Sequence, residues 1–321
     1  MVIIPALNEE KTIARVIEDI PQQLFDHKVV VEVVVINDGS TDRTPEIARA
    51  HGASVKDHLL PQGVGASFAD GIREALNMRA DYAVNIDADG QMDPRDIEKL
   101  LSPIFKGKAD MVTASRFINR DQLPQMPGIK RWGNNRVASI VSHIVGKKYY
   151  DVSCGFRAYN REALLRLNLY GRFTYTQESF INLAGSSHIR ILEVPVTIRG
   201  EREFGKSRVA SSIVKYAVRS GSIILSAFKD YRPNTFFGSL SLFFLLLGLI
   251  FEAIMFANFF IHGHFTDYLW AGLIGAFLAI TSMIFLILMI VSDTLGKIRR
   301  TEEEILYLNK LNTYYGEERQ R

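Results

Sequence analysis

Tyr82-Ala83-Val84-Asn85-Ile86-Asp87-Ala88-Asp89-Gly90-Gln91 is the stretch on which the fold is decided. Tyr82 to Ile86 is a short apolar run of strand character. It stops at two carboxylates, a glycine and an amide. Residues two apart in extended backbone point to one side, so Asp87 and Asp89 can be aimed at a single cation. Gln91 adds a neutral oxygen. A set of carboxylates and an amide suits a hard ion, Mg²⁺ or Mn²⁺, that also touches phosphate oxygens. No cluster of Cys and His points to zinc. Two aspartates around one residue are common in turns and caps, so their position has to carry the reading.

The surroundings supply that position. Val2 to Pro5 is an apolar run, followed by Asn8-Glu9-Glu10 and a helical stretch from Thr12 to Ile20. Val29 to Ile36 is β-branched except at Glu32, which predicts a strand buried on both faces. It ends at Asn37-Asp38-Gly39-Ser40. Thr44 to His51 reads as helix, Ser54-Val55 as a weak strand, and Gly63 to Met78 as helix. Pro94 to Phe105 is a further helix, and Met111 to Ala114 a strand that leads into Ser115-Arg116-Phe117. Strands alternating with helices predict an α/β domain with a mostly parallel sheet. In such sheets function collects beyond the C-terminal strand ends, where Asn37-Asp38, Asp87 to Gln91 and Arg116 all fall. There is no GxGxxG after the first strand and no GxxxxGK[ST], which argues against dinucleotide and P-loop readings.

Charge divides the chain. Lys and Arg total 38 against 35 Asp and Glu, a net charge of +3, too small to argue for nucleic acid. Yet no Lys or Arg occurs across the 64 residues from Pro233 to Gly296. Phe236 to Ile261 is a run of 26 residues with one charge, Glu252, and Tyr268 to Ser292 is a run of 25 with none. Each is long enough to cross a hydrocarbon core of about 30 Å as a helix. His262 to Asp267 is a short polar link, so the two runs form a hairpin. Lys229 and Arg232 precede it, and Lys297, Arg299 and Arg300 follow. The positive-inside rule therefore expects both outer ends, and the large domain, in the cytoplasm. The opening Met1-Val2-Ile3-Ile4-Pro5 reaches Asn8, Glu9 and Glu10 too soon for a secretory signal, which fits that side. Two buried core helices are the bland alternative, and Glu252 is either a functional acid or a packed one. Ser207 to Asp230 repeats apolar residues every three or four positions opposite a basic and polar face, which predicts a helix lying on lipid or packed on the domain. The expected division is a catalytic domain over 1–206, an amphipathic interface helix over 207–232, the hairpin over 233–296 and a cytoplasmic tail over 297–321. The single cysteine, Cys154, reads as a small buried hydrophobe.

A resemblance now enters. Pro5-Ala6-Leu7-Asn8-Glu9-Glu10, Asn37-Asp38-Gly39-Ser40-Thr41-Asp42 and Asp87-Ala88-Asp89-Gly90-Gln91 look like the motifs of family 2 inverting glycosyltransferases. Ser115-Arg116-Phe117, Arg131-Trp132-Gly133-Asn134, Asp151-Val152-Ser153-Cys154-Gly155-Phe156-Arg157, and Arg202 with Gly205-Lys206-Ser207-Arg208 resemble the polyprenyl-phosphate branch, the dolichyl-phosphate mannose and glucose synthases. The likeness covers roughly residues 1–230 and implies a nucleotide-sugar-binding, GT-A-like α/β domain.

The resemblance implies these roles. Pro5, Asn8, Glu9, Asn37, Asp38, Ala88 and Arg202 would form the nucleotide-sugar site. In it Pro5 and Glu9 line the base and ribose pocket, Asp38 accepts from a ring N–H, and Arg202 reaches the pyrophosphate. Asp87 would contact sugar or ribose, and Asp89 and Gln91 would hold Mg²⁺ or Mn²⁺. Asn37 stands where the family often has a second Asp. Arg116 and Arg131 would bind the acceptor phosphate, with Asp151, Glu178 and Lys206 on the same side. The catalytic set is then Asp87, Asp89, Arg116 and Arg131. From the residues alone, Glu9 also reads as a helix cap, Asp42 as the cap of the Thr44 helix, and Lys206 with Arg208 as lipid-headgroup contacts.

The expected reaction is inverting transfer of a hexose from GDP-mannose or UDP-glucose to a polyprenyl or dolichyl phosphate, giving a β-linked product. Partners are then the donor, the lipid phosphate and the membrane, with no nucleic acid, and the hairpin offers a surface for a homo-oligomer. Three rivals differ in what they need. Transfer to another lipid or a polysaccharide demands a firm catalytic base, and a processive enzyme more spans. A non-catalytic scaffold has no use for intact Asp87, Asp89, Gln91, Arg116 and Arg131. A nucleotidyltransferase needs no lipid-phosphate arginines.

Overall fold

A computed structural model of the 321-residue chain describes every residue except 27, 120–125, 127, 170–174, 186–187, 200–202, 205–220, 223–224, 227, 230 and 317–321. It divides into two compact units, Met1–Ile224 with Ile305–Arg321, and Leu225–Glu304.

The first unit is built on β1 (Val2–Ala6), whose five residues are all buried. It pairs in parallel with β4 (Val33–Asn37) on one side and β6 (Tyr82–Asn85) on the other. With β5 (Ser54–Asp57), β7 (Met111–Ser115), β8 (Arg157–Asn160) and β9 (Ile191–Pro195) the sheet has seven strands in the order β5-β4-β1-β6-β8-β7-β9. Only the pairings of β8 are antiparallel. The expected α/β class with a mostly parallel sheet is what forms. Helices α1 (Ile13–Glu18), α2 (Thr44–Ala50), α3 (Val64–Asn77) and α4 (Ile97–Phe105) follow the early strands. The apolar faces of α1, α2 and α4 close a core that includes Ile4, Ile13, Val35, Ile97, Leu100 and Phe156, while α3 packs on the other face of β1, with Gly71 against Ile3. Continuous β-branched strands buried on both faces are the pattern such a sheet requires. The later helices are α5 (Gly128–Val145), α6 (Arg161–Arg166) and α7 (Tyr175–Ala184). Cys154 is buried and its thiol is pushed up to about 12, mainly by burial, as a packing residue should be.

One strand differs from expectation. The run from Val29 to Ile36 is broken at Val31 and Glu32. Val29–Val30 (β3) instead pairs antiparallel with Gln23–Leu24 (β2), through a turn in which Phe25 and Asp26 take positive φ. The Glu32 carbonyl accepts the Val2 amide at 2.7 Å, so the chain steps from the small hairpin into the main sheet at that point.

The second unit holds α8 (Pro233–His262) and most of α9 (Leu269–Tyr315). Both are long and apolar enough to cross a membrane, and only 11% and 17% of their most apolar windows are buried. Most of their apolar surface is therefore not covered by the rest of the described chain. Ser241 and Ser282 tie the helices together, each hydroxyl donating to the other's carbonyl, at 3.0 and 2.8 Å. The predicted interface helix lies mostly outside the described residues.

The tail expected from 297 is a continuation of α9. Its last turns belong to the first unit and dock beside α6. The Tyr307 hydroxyl donates to Glu162 at 2.9 Å, and the Lys310 ammonium donates to the Leu167 carbonyl and to Asn168 Oδ1 at 2.9 and 2.8 Å. The Arg166 guanidinium lies 4.0 Å over the Tyr307 ring. Burial lowers the Lys310 ammonium to about 8.

Candidate active site

Five strand ends converge at one edge of the sheet. The parallel strands β1, β4, β6 and β7 deliver their C-terminal ends there. Reversed β8 brings its beginning, so Arg157 stands opposite Asn85 and Thr113.

Beyond β1, Asn8 adopts φ 50° and stitches the first loop to the second. Its amide donates to Ser40 Oγ at 2.9 Å, and its Oδ1 accepts the Thr41 amide at 2.7 Å. The Glu9 amide donates to Thr44 Oγ1 at 2.8 Å, while its main-chain carbonyl accepts Thr12 and Ile13 at 3.0 Å and so starts α1. Asp42 Oδ1 accepts the Thr44 amide at 3.0 Å, the capping role its spacing suggests. Pro5 is buried within β1, opposite Ile36.

Beyond β4, Asn37 donates to Asp57 at 2.8 Å and accepts the Ser40 amide at 3.0 Å. Asp38 is buried. Its Oδ1 accepts the Gln62 amide at 2.7 Å, and its Oδ2 the Gly63 amide at 2.9 Å. Composition gave no sign of its other partner, His58. That imidazole lies between two carboxylates, with Nδ1 2.9 Å from Asp38 and Nε2 2.9 Å from Asp70. Burial alone would lower its pKa, but the two carboxylates outweigh burial and raise it above the ordinary 6.5. A histidine raised on folding adds stability that is complete below its unfolded pKa and lost as pH rises through the folded one. His58→Gln is therefore expected to narrow its melting-midpoint deficit against the parent as pH rises from 6 to 9. A deficit constant over that range, read by thermal unfolding, would contradict the charged bridge.

Beyond β6 comes the metal candidate. Gly90 takes φ 70°, a left-handed turn that favours glycine. The turn folds Asp89 back, and its Oδ1 accepts the Gln91 amide at 3.0 Å. Ala88 is held from behind, where its carbonyl accepts Thr12 Oγ1 at 2.7 Å. Gln91 spends its amide nitrogen on the Arg199 carbonyl at 2.9 Å, and its oxygen is the atom a hard cation would take. Among the described residues no three His, Cys, Asp or Glu cluster closely enough to hold a metal unaided. Asp89 and Gln91 offer hard oxygen donors and fit Mg²⁺ or Mn²⁺ if phosphate oxygens complete the shell. They do not fit zinc.

Beyond β7, Arg116 clasps Asp151. Nε donates to Oδ2 at 2.6 Å and Nη2 to Oδ1 at 2.9 Å, and the Asp151 side chain is fully buried. Asp151 is held in turn by Glu193 of β9, which accepts the Asp151 amide at 2.7 Å and the Tyr150 amide at 2.9 Å. Burial raises the Glu193 carboxyl above its ordinary value. Glu193 was missed, although it is the one charge inside the apolar run Ile191-Leu192-Glu193-Val194. Glu178 stands half-buried on α7, and Arg131 is exposed on α5. Arg202 and Lys206 fall outside the described residues.

The profile of Glycosyl transferase family 2 matches residues 1–167. The chain belongs to glycosyl transferase family 2. It is 30% identical to the UDP-N-acetylglucosamine–dolichyl-phosphate N-acetylglucosaminyltransferase of Methanococcus voltae, over 60% of this chain and 83% of that protein. It is 33% identical to the dolichyl-phosphate hexose transferase of Haloferax volcanii, over 67% of this chain and 92% of that one. Among solved structures it is similar to glucosyl-3-phosphoglycerate synthase of Mycobacterium tuberculosis in complex with Mn²⁺, uridine diphosphate and phosphoglyceric acid. That match has a TM-score of 0.53 and 22% identity, and covers 70% of this chain and 77% of the other. It supports the GT-A-like fold of this glycosyltransferase.

Proposed function

We propose that this glycosyltransferase moves a hexose from a nucleotide-sugar, GDP-mannose or UDP-glucose, onto the phosphate of a polyprenyl or dolichyl phosphate. The observation that carries this reading is the Arg116–Asp151 clasp. It is a braced arginine at the same sheet edge as the Asp87–Gln91 turn, in a chain whose two long apolar helices suit a lipid acceptor. The relatives named for dolichyl-phosphate transfer support it.

A divalent cation, when bound by Asp89 and Gln91, would neutralise charge growing on the departing diphosphate. The protein's own residues do the rest. Asp87 orients the sugar or ribose. Pro5, Asn8, Glu9, Asn37 and Asp38 shape the nucleotide end, with Arg202 reaching the pyrophosphate. Arg116, its fork fixed by Asp151, orients the lipid phosphate together with Arg131, and Glu178 and Lys206 complete that side. The attacking oxygen is already anionic at pH 7, so no strong general base is required. Positioning and electrostatics then suffice. Attack on C1 from the face opposite the nucleotide inverts the anomer and yields a β-linked product. The hairpin spans the membrane with the catalytic domain on the cytoplasmic side, as the flanking arginines and lysines suggest.

The test is a donor screen of the purified full chain with UDP- and GDP-hexoses, polyprenyl phosphate and Mn²⁺. Lipid-linked hexose from one nucleotide class is expected, and it should vanish with EDTA. Transfer that persists in excess EDTA would remove the cation from the account.

A further inference from the structure

Three buried polar side chains around Asp87 have no part in the reaction as assigned so far: Asn85, Arg157 and Tyr175. Asn85 and Arg157 face each other across β6 and β8, and both are fully buried. Asn85 Nδ2 donates to the Gly155 carbonyl and to the Tyr175 hydroxyl oxygen, 2.9 Å in each case. A hydroxyl that accepts from Asn85 has its own proton left for another acceptor.

Gly155 shows which acceptor is near. A Cβ on Gly155 would lie 2.7 Å from the Tyr175 hydroxyl oxygen and 3.4 Å from each carboxylate oxygen of Asp87. The phenol and the carboxylate therefore border one narrow gap, which stays open because residue 155 has no side chain. Arg157 locks the helix that carries Tyr175. Nη1 donates to the Thr176 carbonyl at 2.7 Å and to Ser179 Oγ at 2.8 Å, and Nη2 donates to the Val152 carbonyl at 2.9 Å. None of these acceptors is a carboxylate, and Nε is buried without a partner. A buried guanidinium with only neutral partners is costly, so the fold gains something from keeping it there.

We propose that Tyr175, set in place by Asn85 and Arg157, is a positioning residue for Asp87, its hydroxyl holding the carboxylate directly or through one water across the Gly155 gap. The inference rests on the assignment of Asp87 to the donor sugar or ribose. A hydrogen bond behind a substrate-contacting carboxylate fixes the rotamer on which in-line geometry depends.

Tyr175→Phe in the full chain tests it. The phenyl ring keeps its stack on Phe68, whose centroid lies 4.4 Å away, so the variant should fold. The expected result is a loss of roughly tenfold or more in kcat, with KM for polyprenyl phosphate within about twofold of the parent. A parental kcat, or a loss that resides in the acceptor KM, would overturn the proposal. Gly155→Ala approaches the gap from the other side. It should lower kcat and the melting midpoint in the parent and cost little more of either in the Tyr175→Phe background, because the hydroxyl is what the new methyl meets. Additive losses in the double variant would overturn the shared gap. A parent chain that moves no hexose would refute the assigned reaction instead, and the melting cycle, which needs no substrate, would still show whether the gap exists.

Discussion

Replacing Asp89 with alanine is expected to reduce hexose transfer by on the order of a thousandfold or more, close to abolition, while the protein still folds. Asp89 is buried at the Gly90 turn, where its Oδ1 accepts the Gln91 amide. Alanine removes that turn bond, itself worth about 1 kcal/mol, together with the carboxylate assigned to the cation. The disproportion is the diagnostic feature. A residue that merely caps a turn would cost stability and little turnover. Full activity of Asp89→Ala with Mg²⁺ or Mn²⁺ supplied, measured alongside thermal unfolding, would remove Asp89 from the metal site.

The second large effect is expected at Arg116. Glutamine there would leave Asp151 buried without its ionic partner, and a broken buried pair costs about 3–5 kcal/mol, enough to confuse a fold defect with a catalytic one. Arg116→Lys keeps the charge beside Asp151 but gives up the two parallel bonds that Nε and Nη2 make to it, so thermal unfolding is read beside activity. Lysine does not replace arginine where two parallel bonds are made. The expected result is a loss of about a hundredfold in kcat/KM for the lipid phosphate, about 2.7 kcal/mol, with KM for the donor nearly unchanged. An equal loss in donor KM, read by varying each substrate in turn, would assign Arg116 to the nucleotide end instead.

How much of this was legible in the sequence depended on the range of the interaction. Asp42 was readable as a cap because its partner, Thr44, is two residues away. The alternation of strands and helices through Ser115 was readable for the same reason, since periodicity is local. The hairpin was plain from two apolar runs and one polar link. His58 was not readable, because its two carboxylates lie 20 and 12 residues away, and only the sheet brings them to one imidazole. Strand β8 was invisible because it is four residues long and begins with an arginine that has no exposed surface. A charged residue normally marks the outside, and here hydrogen bonds to two backbone carbonyls and Ser179 keep it inside. The break at Val31 and Glu32 was hidden by β-branched residues on both sides. The docking of α9 beside α6 was hidden because Tyr307 and Lys310 read as ordinary surface residues of a charged tail.

The acceptor's phosphate is the centre of the account, since it explains both the braced arginine and the lack of a requirement for a strong base. The most direct measurement offers the purified full chain two acceptors of one chain length, polyprenyl phosphate and the matching polyprenol. The nucleotide-sugar and Mn²⁺ are the same in both. The account predicts lipid-linked hexose from the phosphate alone, with the anomer inverted. Hexose transferred to the free alcohol at a comparable rate, or a product of retained configuration, would contradict it.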